Sequence, residues 1–517
     1  MISPLMFERS GRWRTIGLIA ALGLCAAPTL PLLLQAGFEV GTFGNIFTDA
    51  FVRSLVNSFS VAILVGIVSY TVGMPLGIVP AVFQVRGHEA LMALLALPLL
   101  FPSFLMAIGW SSFAARAGEP IHSFINGHGG CVLVFSASGV PLAMLTAYIA
   151  CASLTGSQLD AVKLSGGGMA VLRYVFRYTS APTLLAAVLA AVLSVSDPGP
   201  GQIFGVLTAG SEVLTSVAAL YDFALAGQQC VALGLLVFLI AGPLILVTGP
   251  SFTSMVLARQ TRPAQHIYHS RAELVGLFGL VVTGLIFLTA PLLGLLLPLR
   301  NGGGIGRAME ELVRTTWNTV LYAIMAGGLC TCVALGIAFF IGRNRRAMSL
   351  AVAILAIIFV LPPSLGALGI HQAKSFLPGQ LDPLVDSRLI VAVALALRFA
   401  PVATVFVLRS WGSTSQSWTL AAAMHGVPFT RFVYHVLAPS MSRSIVMGGL
   451  LVGLLATGDV VTVLLLHPPG EATLPLAIFT VMANAPESLV ASMCLLYVAG
   501  ASALLIGLAA LAPRRRG

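Results

Sequence analysis

Runs of roughly 20 apolar residues recur along the whole chain, and a helix of that length matches the hydrocarbon core of a bilayer, about 30 Å thick. Twelve such runs are read, near 14–34, 56–82, 90–110, 131–153, 182–196, 229–249, 274–298, 317–341, 348–370, 389–408, 444–466 and 489–511. The fifth is short and leads straight into Asp197. Composition excludes a soluble alternative: 58% of the 517 residues are hydrophobic and 9% charged, against roughly 25% charged in soluble domains. The expected fold is an all-α polytopic membrane protein with about twelve transmembrane helices, its lipid-facing surface solvated by the bilayer.

The formal net charge of +10 does not point to nucleic acid, because no basic run outside Arg514, Arg515 and Arg516 is present. Sidedness explains it. With the amino terminus on the cytoplasmic side, the connections on that side sum to +15 and those on the opposite side to −5, while Arg398 and Asp459 cancel inside the membrane. An excess of Arg and Lys on the cytoplasmic side is the usual topology signal, so both termini are expected there. The first run has the look of a signal peptide, but Leu24 before Cys25 is too bulky for a lipoprotein cleavage site and the run has a partner within the chain. Seven cysteines fall in or beside the runs with no CxxC pair, which suits buried small hydrophobes and neither a disulfide framework nor a zinc site.

Landmarks repeat at an offset of about 260 residues: Asn57 with Asn318, Pro102-Ser103 with Pro363-Ser364, Pro141 with Pro401, Gly166 with Gly426, and Asp197 with Asp459 two residues off register. This predicts two parallel six-helix repeats, residues 1–250 and 274–517, joined by a cytoplasmic linker at 251–273 whose His266 and His269 read as solvated loop. An even number of spans gives both halves the same orientation, and such halves commonly build a substrate route between them.

Two cytoplasmic connections are long, 154–181 and 411–440, and they occupy equivalent places. In the second, Trp418 to Met424 is Ala-rich, Gly426 can take the left-handed conformation that ends a helix, and Pro428 opens another. Phe429, Phe432, Val433, Val436 and Leu437 then follow the spacing of one apolar helix face, with Arg431 and His435 off it. The first connection repeats the plan with Asp160, Ala161, Lys163, Gly166, Arg173, Arg177 and Pro182, plus two or three extra residues at Gly166-Gly167-Gly168. Each is expected to be a helix, a sharp turn and a helix.

The spacing of Ala421, Ala422, Gly426 and Pro439 resembles the EAA loop of the permeases of binding-protein-dependent type I ABC importers. Two such loops in one chain are similar to the fused permeases of the iron(III) and thiamine importers, as is the stretch from Gly458 and Asp459 to Ile478. The resemblance implies the type I permease fold in a bacterial inner membrane, with no cofactor of its own. It also implies two copies of a separate ATPase subunit docked on the loops, through Asp160, Ala161, Gly166, Arg173, Ala421, Ala422, Gly426 and Arg431, and a periplasmic substrate-binding protein. Iron(III) or a small solute such as thiamine is the substrate class it implies. The family's leading glutamate is Asp160 in the first loop and Leu420 in the second.

No ATPase is expected within the chain, because neither lysine, Lys163 or Lys374, stands in a Gly-Lys-Ser/Thr sequence. A membrane enzyme lacks any cluster of catalytic residue types at ligand or triad spacing. A secondary transporter of the major-facilitator type also has parallel six-span halves, but its Gly- and Arg-rich signature between spans two and three corresponds here only to Gln84-Val85-Arg86-Gly87-His88. Charges within spans mark function or a structural pair. Asp197, Arg398 and Asp459 are the candidates for the translocation path, with a buried Arg398–Asp459 pair as the structural reading. Arg398 breaks the repeat, since Ser138 is its counterpart.

Overall fold

Proline at matched places decides where the apolar runs bend. Phe101 and Leu361 each precede a proline, whose ring clashes with a helical conformation at the preceding residue, and both are extended (φ −98°, ψ 135° and φ −60°, ψ 145°). The helix restarts after each break, at Ser103 and Pro363. The third run is thus His88–Leu100 and Ser103–Ala117, bent by 103°, and the ninth is Arg345–Val360 and Pro363–Ala373, bent by 83°.

The computed structural model describes residues 12–38, 46–83, 85–258, 270–301, 304–342, 344–376, 378, 383 and 386–511. The linker residues 259–269, with His266 and His269, lie outside them, as do Gln84, Gly302, Gly303, Arg343, Asp382 and Arg514 to Arg516. The described residues are helical with no extended sheet. Nine unbroken helices among them are long and apolar enough to cross a membrane, and three bent pairs raise the number to twelve. The unbroken ones are Arg12–Gln35, Asp49–Val82, His128–Cys151, Gly156–Ser196, Phe223–Leu257, Glu273–Arg300, Gly304–Ile341, Arg388–Gly412 and Glu487–Gly507. The third pair is Phe429–Ser442 with Ser444–Thr457, bent by 55°.

Two boundaries differ from the sequence reading for identifiable reasons. The fifth run is not short: it is the end of a 41-residue helical stretch, Gly156–Ser196, interrupted only at Gly166 and Gly167, that also carries the first long connection. The eleventh ends at Thr457 instead of 466, because Asp459 caps a separate helix, Val460–Leu466, by accepting the Thr462 N–H at 3.1 Å. Hydropathy reads through a single acidic residue; the backbone does not.

The packing recurs along the chain in matched pairs. Asp49–Val82 packs on His128–Cys151 and Gly156–Ser196, and Gly304–Ile341 packs on Arg388–Ser413 and Ala438–Thr457. The first helix leaves its own half and lies on Gly304–Ile341, Arg345–Val360 and Arg388–Ser413, while Ser270–Gly284, in the seventh run, lies on Asp49–Val82 and His88–Leu95. A proline of each crossing run meets a glycine of the opposite half. A Cβ at Gly109 would strike the Pro291 carbonyl, and one at Gly369 the Pro28 carbonyl. Such contacts suit a membrane interior, where helices associate through close backbone approach at small residues.

Two further links join the halves near the far ends of these helices. Arg116 donates to both carboxylate oxygens of Glu487, at 3.0 and 3.1 Å, and the Ser112 hydroxyl adds a third bond at 2.6 Å. In the corresponding place His371 stacks on Phe223 with ring centroids 5.0 Å apart. Gly109→Leu or Gly369→Leu forces these backbones apart, and overpacking of this kind costs about 1–3 kcal/mol or more. Each variant is expected to lower the heat-unfolding midpoint of the detergent-purified protein, whereas Gly306→Ala, with open space around its Cβ position, is expected to leave it unchanged.

Candidate functional site

The second hairpin starts with a helix, Gln416–Met424, whose N-cap Ser415 accepts the Ser417 N–H. It ends in a Schellman turn: the Gly426 N–H donates to the Ala423 carbonyl and the Val427 N–H to the Ala422 carbonyl, at 3.2 and 2.9 Å. Gly426 is left-handed (φ 65°), as the sequence anticipated. Pro428 is extended and caps the next helix, Phe429–Phe432. Phe432 and Leu437 are buried and Phe429, Val433 and Val436 half-buried, so the expected apolar face packs inward while Arg431 and His435 stay exposed.

The first hairpin has the same outline with its pivot moved by one residue. Gly166 is non-helical without being left-handed (φ −158°, ψ 16°), and Gly167 is the residue with positive φ (68°). The sequence singled out Gly166, but three consecutive glycines leave the turn free to settle one position later. Leu159 and Val162 pack inward among Met74, Ile78, Val171 and Val175. Asp160, Ala161, Lys163 and Arg173 are exposed, as are Ala421 and Arg431 of the second hairpin, with Ala422 half-buried.

The most exposed feature was missed by the sequence reading. Leu164 is 90% exposed and Met424 87%, and they stand 260 residues apart, the same offset as Gly166 and Gly426. Each hairpin therefore offers an uncovered apolar side chain just ahead of its turn. The available signal was an apolar residue placed where the helical pattern otherwise faces water, on the face of the arm opposite Leu159 and Val162.

Asp197, Arg398 and Asp459 form a second group, apart from the hairpins. Asp197 follows the long helix Gly156–Ser196 and accepts the Ser103 hydroxyl at 2.6 Å and the Gly199 N–H at 2.9 Å. Asp459 accepts both the N–H and the hydroxyl of Thr462, at 3.1 and 2.8 Å. Arg398 Nε lies 2.7 Å from Asp459 Oδ2, an ion pair by distance whose N–H is not aligned for a hydrogen bond. Both Asp459 and Arg398 lie within electrostatic range of Asp197. The group sits where the halves meet: a Cβ on Gly458 would touch the Pro102 ring at 3.7 Å, and Phe104 meets Phe479 edge to face at 5.5 Å. The structure thus unites the three path candidates and forms the pair that the sequence left as one of two readings. Asp459 belongs to a helix cap instead of the middle of a span.

No family model, curated protein or solved structure matches this chain. The chemistry must therefore be read from its own residues. Among the described residues no group of three or more His, Cys, Asp or Glu is arranged to hold a metal ion. The carboxylates at the interface are occupied by helix caps, a serine hydroxyl and a guanidinium, so their first role is to hold backbone ends together in an apolar surrounding, where an unmet N–H or an unpaired charge is costly.

Asp459 is 5% exposed and Arg398 18%. Removing one member of such a pair leaves a buried charge, at a cost of about 3–5 kcal/mol. Arg398→Ala is expected to lower the unfolding midpoint strongly. Adding Asp459→Asn, which keeps an acceptor for the Thr462 N–H, is expected to restore part of it. Equal midpoints for the single and double variants would mean that the two side chains are not coupled.

Proposed function

We propose that the chain is the fused permease subunit of an ATP-driven, binding-protein-dependent importer of the type I fold, set in a bacterial inner membrane with both termini cytoplasmic. Its two six-span halves run parallel and enclose the route between them. The observation that carries the reading is the pair of hairpins at equivalent positions, each turned on a glycine of positive φ and each ending in an uncovered apolar side chain, Leu164 and Met424. An exposed apolar tip on a rigid, capped turn suits insertion into a partner protein, here one ATPase subunit per hairpin.

Several observations support the parallel halves. Asn57 Nδ2 donates to the Leu207 carbonyl and Asn318 Nδ2 to the Ala472 carbonyl, at 3.0 and 3.4 Å. The next residue in each case, Ser58 or Thr319, accepts the N–H of Ala209 or Leu474, at 2.8 and 2.9 Å. Sidedness is supported by the ion pairs: each of the five besides Arg398–Asp459 joins residues assigned to one side, Arg86–Glu273 on the cytoplasmic side and the other four opposite. Substrate reaches the opposite side on a periplasmic binding protein, and ATP-driven closure of the ATPase pair moves the hairpins and with them the helices they continue into. Because Gly156–Ser196 carries hairpin and span together, motion at Leu164 reaches Asp197 through a helix that turns only at Gly166 and Gly167. The resemblance to iron(III) and thiamine importers sets the expected substrate class.

Purification with an ATPase subunit, and uptake that stops when cellular ATP is depleted, are the expected results. Uptake that persists without ATP and follows the proton gradient favours the secondary-transporter reading instead. Proline cannot adopt the φ of Gly426, so Gly426→Pro is expected to leave membrane insertion intact and to separate ATP hydrolysis from transport, measured together in proteoliposomes. Ala422→Asp is expected to do the same; full transport by both variants counts against a docking role.

A further inference from the structure

The hairpins agree in shape and differ in charge. From Arg409 to Arg443 the chain contains no aspartate or glutamate, while Arg409, Arg431 and Arg443 are joined by His425 and His435. The first hairpin has Asp160 at the place where the second has Leu420. The arms of the second hairpin also enclose a cleft of about 1090 Å³. Ala421, Ala422, Phe432 and Val436 are among its apolar lining, and Arg431, His425 and His435 among its polar groups. His435 Nδ1 lies 3.1 Å from the Arg431 carbonyl. A carbonyl only accepts, so Nδ1 carries a proton, and Nε2 can donate to a carboxylate only when the ring is doubly protonated.

We infer that this cleft receives a carboxylate-bearing segment of the ATPase partner, so that the second hairpin is held by an acidic ligand as well as by its apolar tip. The inference rests on the permease reading above. Three features favour it. Arg431 has no acidic residue in its own segment to neutralise it and makes no ion pair among the described residues. A guanidinium matches a carboxylate with two parallel donors. The small Ala421 and Ala422 in the lining let a side chain approach the helix backbone. A membrane surface is the rival occupant, but a helix lying on lipid spreads its cations along one face, whereas Arg431 shares a concavity between two arms with His425 and His435.

The test uses the full chain in nanodiscs of phosphatidylcholine, titrated with the ATPase subunit that co-purifies with it. Arg431→Glu with His435→Glu is expected to weaken the complex at least tenfold. Arg431→Lys is expected to retain part of the affinity, and Arg346→Glu, an exposed arginine outside both hairpins, to change it less than threefold. Both reversed residues are exposed, and a monodisperse size-exclusion profile checks that the variant folds. Wild-type affinity in the double reversal overturns the inference and leaves the permease reading standing; absence of any ATPase complex with the wild-type chain removes both. If ATPase binding survives the reversal while hydrogen-exchange protection of 416–437 appears only with phosphatidylglycerol in the disc, the occupant is the lipid surface and the inference falls.

Discussion

A helix that begins within an apolar body has N–H groups that water cannot reach, and the architecture follows from how those groups are met. Where chain re-enters after Asp197 and Gly458, a carboxylate does it: Asp197 for Gly199 and Asp459 for Thr462. Where the next helices begin, hydroxyls of distant spans do it, Ser58 for Ala209 and Thr319 for Leu474. Each solution ties a helix end either to its own turn or to a second span, so the interruptions are fixed points and not weak ones. Arg398 then offsets the charge that the cap at Asp459 brings into the interior.

Much of this was legible in the sequence because hydrocarbon imposes one simple length rule. The twelve runs correspond to twelve helices or bent pairs among the described residues, and the landmark prolines lie where they bend or within spans. Asp459 and Gly167 mark the limits. A cap at Asp459 depends on one side chain, which a window of twenty apolar residues averages away. The pivot at Gly167 depends on which of three equivalent glycines the flanking helices choose, and that is settled by the packing of Leu159, Val162 and Val171. The exchange of first spans between halves lay further out of reach, because Gly109 and Gly369 reveal close approach only when the opposing carbonyl is known.

The hairpins separate shape from chemistry. Both use a glycine of positive φ and an uncovered apolar residue at matching register, which keeps the presented geometry similar. Their charges were free to diverge: Asp160 in one, Leu420 with Arg431 and two histidines in the other. Arg398 opposite Ser138 is the same kind of departure inside the membrane. A duplicated scaffold can hold its backbone nearly symmetric while each half takes on its own electrostatic task.

The seat of the first helix also sets an order of events during synthesis. Pro28 rests against Gly369, a residue made 341 positions later, so the first described helix keeps that contact face bare until Gly369 has been made. Contacts so distant in sequence are slow to close. Covalent joining of the two halves keeps the missing seat at high local concentration through that wait, and makes the last third of the chain responsible for settling the first thirty residues.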